Sequence, residues 1–141
     1  MATMREAFLE AVKEFGQAAI PGNQSNEEIL DYYAEAGHPE ITDDDVPWCA
    51  AFVNAMLKRA GIQGTGQLSA RSFLTWGKKM QHGNITDIVV LWRESPTSGL
   101  GHVGFVTAVI GDFVWILGGN QDNKVEIKPF PLARVLDFRS L

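Results

Sequence analysis

The chain has 141 residues, 45% of them apolar and 21% charged. That is enough for one domain with a real core, too short to divide comfortably into two, and far from a disordered composition. Its formal net charge of −5 excludes the electrostatic grip on nucleic acid or anionic lipid that clustered Lys and Arg would provide. No segment is long enough to span a bilayer, and Arg5, Glu6, Glu10, Lys13 and Glu14 interrupt the amino-terminal stretch that a signal peptide would keep apolar.

The amino-terminal half reads as helices. Thr3 with Glu6 makes a capping box, and Ala7, Phe8, Ala11, Val12 and Phe15 follow at helical spacing until Pro21-Gly22. Ser25 with Glu28 repeats the capping pattern; Ile29, Leu30 and Tyr33 form the stripe of a second helix that Gly37 and Pro39 end. Pro47 suits the first turn of a third helix, with Phe52, Val53, Met56, Leu57 and Ala60 on one face and Gly61 at its end. A short fourth helix is predicted over residues 69–80, around Phe73, Leu74 and Trp76.

Beyond residue 85 the pattern turns to strands rich in branched and aromatic residues: 88–92, 102–110, 113–117, 124–127 and 134–138. Ile110-Gly111-Asp112-Phe113 places glycine first in a two-residue turn, which predicts a hairpin between the second and third of these. Helices followed by an antiparallel meander predict one α+β domain, residues 1–141, with the helices packed on one face of the sheet.

Cys49 is the only cysteine, which excludes an internal disulfide and a zinc site built from several thiolates. Beside Trp48, Ala50 and Ala51 it is either buried packing or reactive. In the first turn of a helix, unpaired N–H groups and the macrodipole favour the thiolate, and the Cys49 N–H is free to serve an oxyanion. Asp43, Asp44 and Asp45 just upstream would oppose an anion if they faced the sulfur, so they are expected to cap the helix or face solvent. They lack the spaced pattern of a calcium loop, and no metal or cofactor is expected.

A thiol nucleophile needs an imidazole, and the imidazole an orienting group. His38 lies in a Gly-His-Pro turn and His82 in a polar loop, whereas His102 opens a strand between Gly101 and Val103-Gly104, where small neighbours leave room for a helix terminus. His102 is thus the candidate base, against the alternative of a structural strand-edge histidine. Asn120, after Gly118-Gly119, would share a face with residues 114, 116 and 118 and reach the imidazole if the strand stays regular. The alternative is a plain turn, with Gln121, Asp122 and Asn123 as nearby substitutes. Asp87 is taken as structural.

Four blocks carry a family resemblance: Trp48-Cys49-Ala50-Ala51-Phe52-Val53-Asn54; Asp87-Ile88-Val89-Val90; Gly101-His102-Val103-Gly104-Phe105-Val106; and Leu117-Gly118-Gly119-Asn120-Gln121. Together they resemble the CHAP and NlpC-type branch of papain-like cysteine peptidases, over roughly residues 25 to 139, with compact phage-associated lysins the nearest likeness. The resemblance implies a papain-like α+β fold, Cys49 as nucleophile, His102 as base, Asn120 as orienting residue, and cleavage of peptide or amide bonds in bacterial peptidoglycan. Two departures stand out. Many CHAP relatives carry a carboxylate where this chain has Gly118, which leaves the third and fourth catalytic positions open, and Thr86-Asp87 replaces the usual Gly-Asp. Some relatives place an upstream tyrosine beside the oxyanion hole; Tyr32 and Tyr33 occupy that region, and helical spacing equally makes Tyr33 core.

The expectation is a monomeric peptidoglycan hydrolase, made without a signal peptide and reaching the wall by holin release or secretion-system delivery. Its rivals are an antibacterial effector toxin of the same fold, with an immunity protein as partner, and a catalytically inactive wall-binding or assembly module. A zinc amidase is least favoured, because no histidines stand in a ligand pair at short spacing.

Overall fold

The computed structural model describes residues 2–21 and 25–141; Gly22, expected to help stop the first helix, lies outside them. Helix α1 runs Met4–Lys13, its N-cap Thr3 hydroxyl accepting the Glu6 N–H at 3.2 Å. It ends well before Pro21. Gly16, at φ +94°, turns the chain away and gives its N–H to the Val125 carbonyl, and Phe15 before it is exposed instead of entering the core; Val12 lies on the exposed side of the helix.

Helix α2, Glu27–Glu35, is capped by Asn26 and not by Ser25: the Asn26 side chain accepts the Glu28 N–H at 2.9 Å. Ile29, Tyr32 and Tyr33 are its buried face, and Gly37 at φ +97° closes it. Helix α3, Cys49–Arg59, is buried at every position from Cys49 to Leu57 and is the central element. Pro47 falls just outside it, before the N-cap Trp48. Burial of Phe52, Met56 and Leu57 contributes about 2 kcal/mol each.

The predicted fourth helix is instead a 3₁₀ helix, Ala70–Thr75, followed by strand β1, Lys78–Met80. Gly77, at φ +60°, divides the two, and β1 pairs with the last strand. The remaining strands are β2 Ile88–Trp92, β3 Gly101–Ile110, β4 Phe113–Gln121, β5 Lys124–Pro131 and β6 Val135–Ser140. They form one antiparallel sheet in the order β1-β6-β2-β3-β4-β5. The predicted hairpin joins β3 to β4, with Ile110 opposite Phe113 and Gly111 at φ +58°. The sheet departs from a meander where β6 returns to pair with the far edge of β2.

One face of the sheet buries Ile88, Val90, Val103, Phe105 and Leu117 against the helices, chiefly α3 on β3 and β4. The other carries a second cluster, Val89, Leu91, Val106, Val114 and Ile116, under Phe130, Leu132, Val135 and Phe138. This is the expected papain-like α+β arrangement of helices on one face of an antiparallel sheet.

Two polar devices tie the helical layer together. Arg59 at the end of α3 makes a two-nitrogen contact with Glu35, at 2.7 and 2.8 Å, and also meets Glu28 at 3.2 Å and Glu14 at 3.4 Å, joining all three helices. The buried Asn54 amide donates to the Ala50 and Gln67 carbonyls and the Thr65 hydroxyl, while its oxygen accepts from the Thr65 and Gly66 N–H groups. A loop that runs on into Leu68 and Ser69 is thereby fixed against α3.

Candidate active site

Cys49 is the first residue of α3, and the N-cap Trp48 supplies no side-chain cap to the free N–H groups of that turn. No acidic residue stands in the first turn. The three upstream aspartates do not cap the helix: Asp44 is buried and accepts the Ile20 and Asn26 N–H groups at 2.9 Å each, and Asp43 accepts the Asp45 N–H. Trp48 is buried and stacked on Tyr32, with ring centroids 5.9 Å apart. Gly119 of β4 lies beneath it; a Cβ there would stand 2.7 to 2.8 Å from Trp48 and Phe52. The helix terminus therefore approaches the β4 backbone as closely as a missing side chain allows.

His102, near the start of β3, is paired across the sheet with Leu91 and stacks on Phe130 at 5.1 Å between centroids. Its Nε2 lies 2.9 Å from Gln121 Oε1. The Gln121 amide is oriented by its own nitrogen, which donates to the Ile116 carbonyl at 3.1 Å and the Glu126 carbonyl at 2.8 Å. Oε1 is thus an acceptor, Nε2 of the neutral imidazole carries the proton, and Nδ1 is left basic.

The residue at the imidazole is one position beyond Asn120, for a backbone reason. Val114 and Ile116 lie on the same side of β4 as His102, and Gly118 follows in alternation. The register then shifts between Gly118 and Gln121, with Asn120 at φ +57°. This bulge delivers Gln121, instead of Asn120, to the face the imidazole occupies. The space for Gln121 comes from Gly118: a Cβ there would be 2.5 Å from Gln121 Oε1 and 3.5 Å from His102 Nε2.

Cys49, His102 and Asn120 line one cleft of about 270 Å³, bounded by Pro47, Ser69 and Arg93. No hydrogen bond joins Cys49 to His102 in this state. Burial pushes the Cys49 thiol up, against backbone N–H groups of Val103 and Ala50 that favour the thiolate. Burial pushes His102 down to about 4, helped by the positive charges of Arg134, Arg93 and Lys128 and opposed by the Gln121 hydrogen bond. The resting pair is therefore neutral thiol and neutral imidazole.

The other candidates fall elsewhere. His38 bonds Glu40 and the Gly66 carbonyl, and His82 is exposed. Tyr32 and Tyr33 are fully buried, their hydroxyls given to Glu14 and the Val46 carbonyl, so both are core and neither lines the cleft. Asp87 is structural as expected, accepting the Asn84 N–H at 3.0 Å. Gln121 was visible in the sequence only as one of several substitutes for Asn120; Arg93 carried no signal there at all.

The CHAP domain family matches residues 41–120, more than half of the chain and the stretch from the aspartates to Asn120. No curated protein matches it. Among solved structures, a protein from Staphylococcus aureus subsp. aureus Mu50, described as similar to a lipoprotein of the NLP/P60 family, aligns with a TM-score of 0.52 at 15% identity. The alignment covers 98% of this chain and 41% of that one. At that identity it speaks for the fold, and this chain spans well under half of the larger protein's length.

Proposed function

The chain belongs to the CHAP domain family, and from that premise we propose that it is a cysteine hydrolase cutting peptide or amide bonds of bacterial peptidoglycan, with residues 1–141 as one catalytic domain. The observation that carries the reading is the cleft itself: an uncapped helix terminus bearing Cys49, opposite a buried imidazole whose Nε2 is committed to Gln121.

In the proposed reaction, His102 Nδ1 takes the Cys49 proton as the thiolate attacks the scissile carbonyl. A carbon–sulfur bond forms, and the oxyanion is held by the Cys49 N–H at the α3 terminus. The tetrahedral species collapses, the imidazolium returns its proton to the departing amine, and water hydrolyses the remaining thioester. Gln121 keeps the imidazole in the Nε2–H tautomer throughout. Asn120, on the cleft wall, contacts substrate. The biological setting we favour is an endolysin-like monomer released to the wall by a holin; an effector toxin with an immunity partner would use the same site.

The test is incubation of the purified protein and its Cys49→Ala variant with isolated peptidoglycan, followed by mass spectrometry of the soluble fragments. Cysteine-dependent release is expected, and the new termini will name the bond. Equal release by both proteins would end the reading. No release, together with a Cys49 inert to thiol reagents, would replace it with the wall-binding module.

A further inference from the structure

Among the described residues, the cleft is lined by one cationic side chain, Arg93, and by no carboxylate. Arg93 directly follows β2 and is exposed, and its guanidinium makes no hydrogen bond or ion pair among the described residues. That sets it apart from the other arginines packed against the body of the protein. Arg59 holds three glutamates, Arg71 four groups of the 95–100 loop, Arg134 the Trp92 carbonyl, and Arg139 Asp137 with the Trp76 carbonyl.

The backbone at Arg93 and the loop that follows it are tied down. Arg71 donates to the carbonyls of Leu100, Pro96 and Ser95 at 2.8 to 3.2 Å, and the Ser98 hydroxyl donates to the Arg93 carbonyl at 2.5 Å. The loop that closes this side of the cleft is thus tied down from within, and the one guanidinium not used in tying it stands beside Cys49 and His102. On the other side of Asn120 a second hollow of about 300 Å³ is lined by Asp44 and Asp45. Within the cleft, an anionic group is attracted to Arg93.

We infer that Arg93 reads a free carboxylate on the substrate, so that the preferred substrate is a peptide stem with an unamidated carboxylate beside the scissile bond. This rests on the cleft being the substrate site proposed above. A planar guanidinium with unpaired donors matches a carboxylate through two parallel hydrogen bonds, and converting that carboxylate to a carboxamide removes both the charge and one acceptor.

The experiment measures binding by Cys49→Ala protein, which cannot turn over, to synthetic stem peptides carrying the free carboxylate and to the same peptides with a carboxamide there. The free acid is expected to bind on the order of 10- to 100-fold more tightly, as a charge-assisted hydrogen bond allows. The preference should collapse toward one in Cys49→Ala/Arg93→Gln, whose unchanged thermal midpoint shows that the fold is intact. Equal affinity for acid and amide, a preference that survives Arg93→Gln, or binding of neither peptide would each overturn the inference. Wall digestion by the unaltered protein separates it from the functional reading. Cysteine-dependent digestion with no Arg93-dependent preference sinks the carboxylate site alone; a retained preference with no digestion sinks the hydrolase alone.

Discussion

Gln121 Oε1 sits 2.9 Å from His102 Nε2, and two backbone carbonyls hold the Gln121 amide so that it can only accept there. Imidazole orientation in this protein therefore depends on a neutral side chain beyond a strand bulge. Gln121→Ala is expected to lower kcat about 10- to 100-fold with little change in KM, because it removes orientation and leaves the proposed nucleophile and base in place. Gln121→Glu tests the same contact by charge: a carboxylate next to the imidazole raises the His102 pKa, so the acid limb of the rate profile should move to higher pH. Unmoved acid limbs in both variants would show Gln121 to be structural only. Asn120→Ala should be the milder change and should fall more on KM.

Gly118 gives Gln121 its room, so filling that room should mimic its loss. Gly118→Ala places a methyl 2.5 Å from Gln121 Oε1 and is expected to lower kcat as much as Gln121→Ala. The double variant Gly118→Glu/Gln121→Ala, with a carboxylate where many CHAP relatives carry one, should recover activity relative to Gly118→Ala. Steady-state kinetics on solubilised wall fragments would decide.

Cys49→Ala and His102→Ala should each abolish wall lysis, measured by turbidity, while circular dichroism shows the fold retained. Lysis by either variant at the unaltered rate would remove that residue from the mechanism.

Acid should weaken the fold through His102. Its pKa falls from the ordinary 6.5 to about 4 on folding, so the folded state resists the proton that the unfolded chain accepts. The stability this contributes is fully present above pH 6.5 and is lost as pH falls toward 4, a difference of about 3 kcal/mol. Urea unfolding at pH 7.5 and pH 4 should show this loss in the unaltered protein and a smaller one in His102→Ala; equal losses would place the acid sensitivity elsewhere.

Arg59→Met should destabilise the protein by about 3 kcal/mol in urea unfolding at neutral pH, since it leaves Glu14, Glu28 and Glu35 facing one another without their cation. The deficit should shrink at lower pH as Glu28 takes up a proton, its pKa being raised first by its contact with Glu14 and then by burial. A pH-independent deficit would point to lost packing of the Arg59 stem instead.

Much of this molecule was legible locally. The amphipathic stripe of α2, the wholly apolar run that became α3, the glycine-first turn between β3 and β4, and the small residues flanking His102 are features of neighbouring residues and survive into the fold. The misreadings have local causes too. Apolar spacing carried α1 through Phe15, but the helix ends at Lys13 and Gly16 turns the chain, leaving Phe15 exposed. Residues 69–80 held too few helical turns to resist pairing of Lys78–Met80 with β6.

What the sequence by itself determined is the chemistry available: one thiol at a helix start, one histidine among small residues at the head of a strand, and a polar cluster after two glycines. Those are properties of residue type and short spacing. Tertiary structure decided which polar side chain meets the imidazole, because a one-residue bulge at the end of β4 exchanges the two faces of the strand and no pattern within the strand announces it. It likewise decided that Arg93, without a partner among the described residues, lines the same cleft as Cys49. Whether a surface arginine finds a partner depends on chain segments far away in sequence, and here the loop that follows Arg93 is held by Arg71, more than 20 residues upstream.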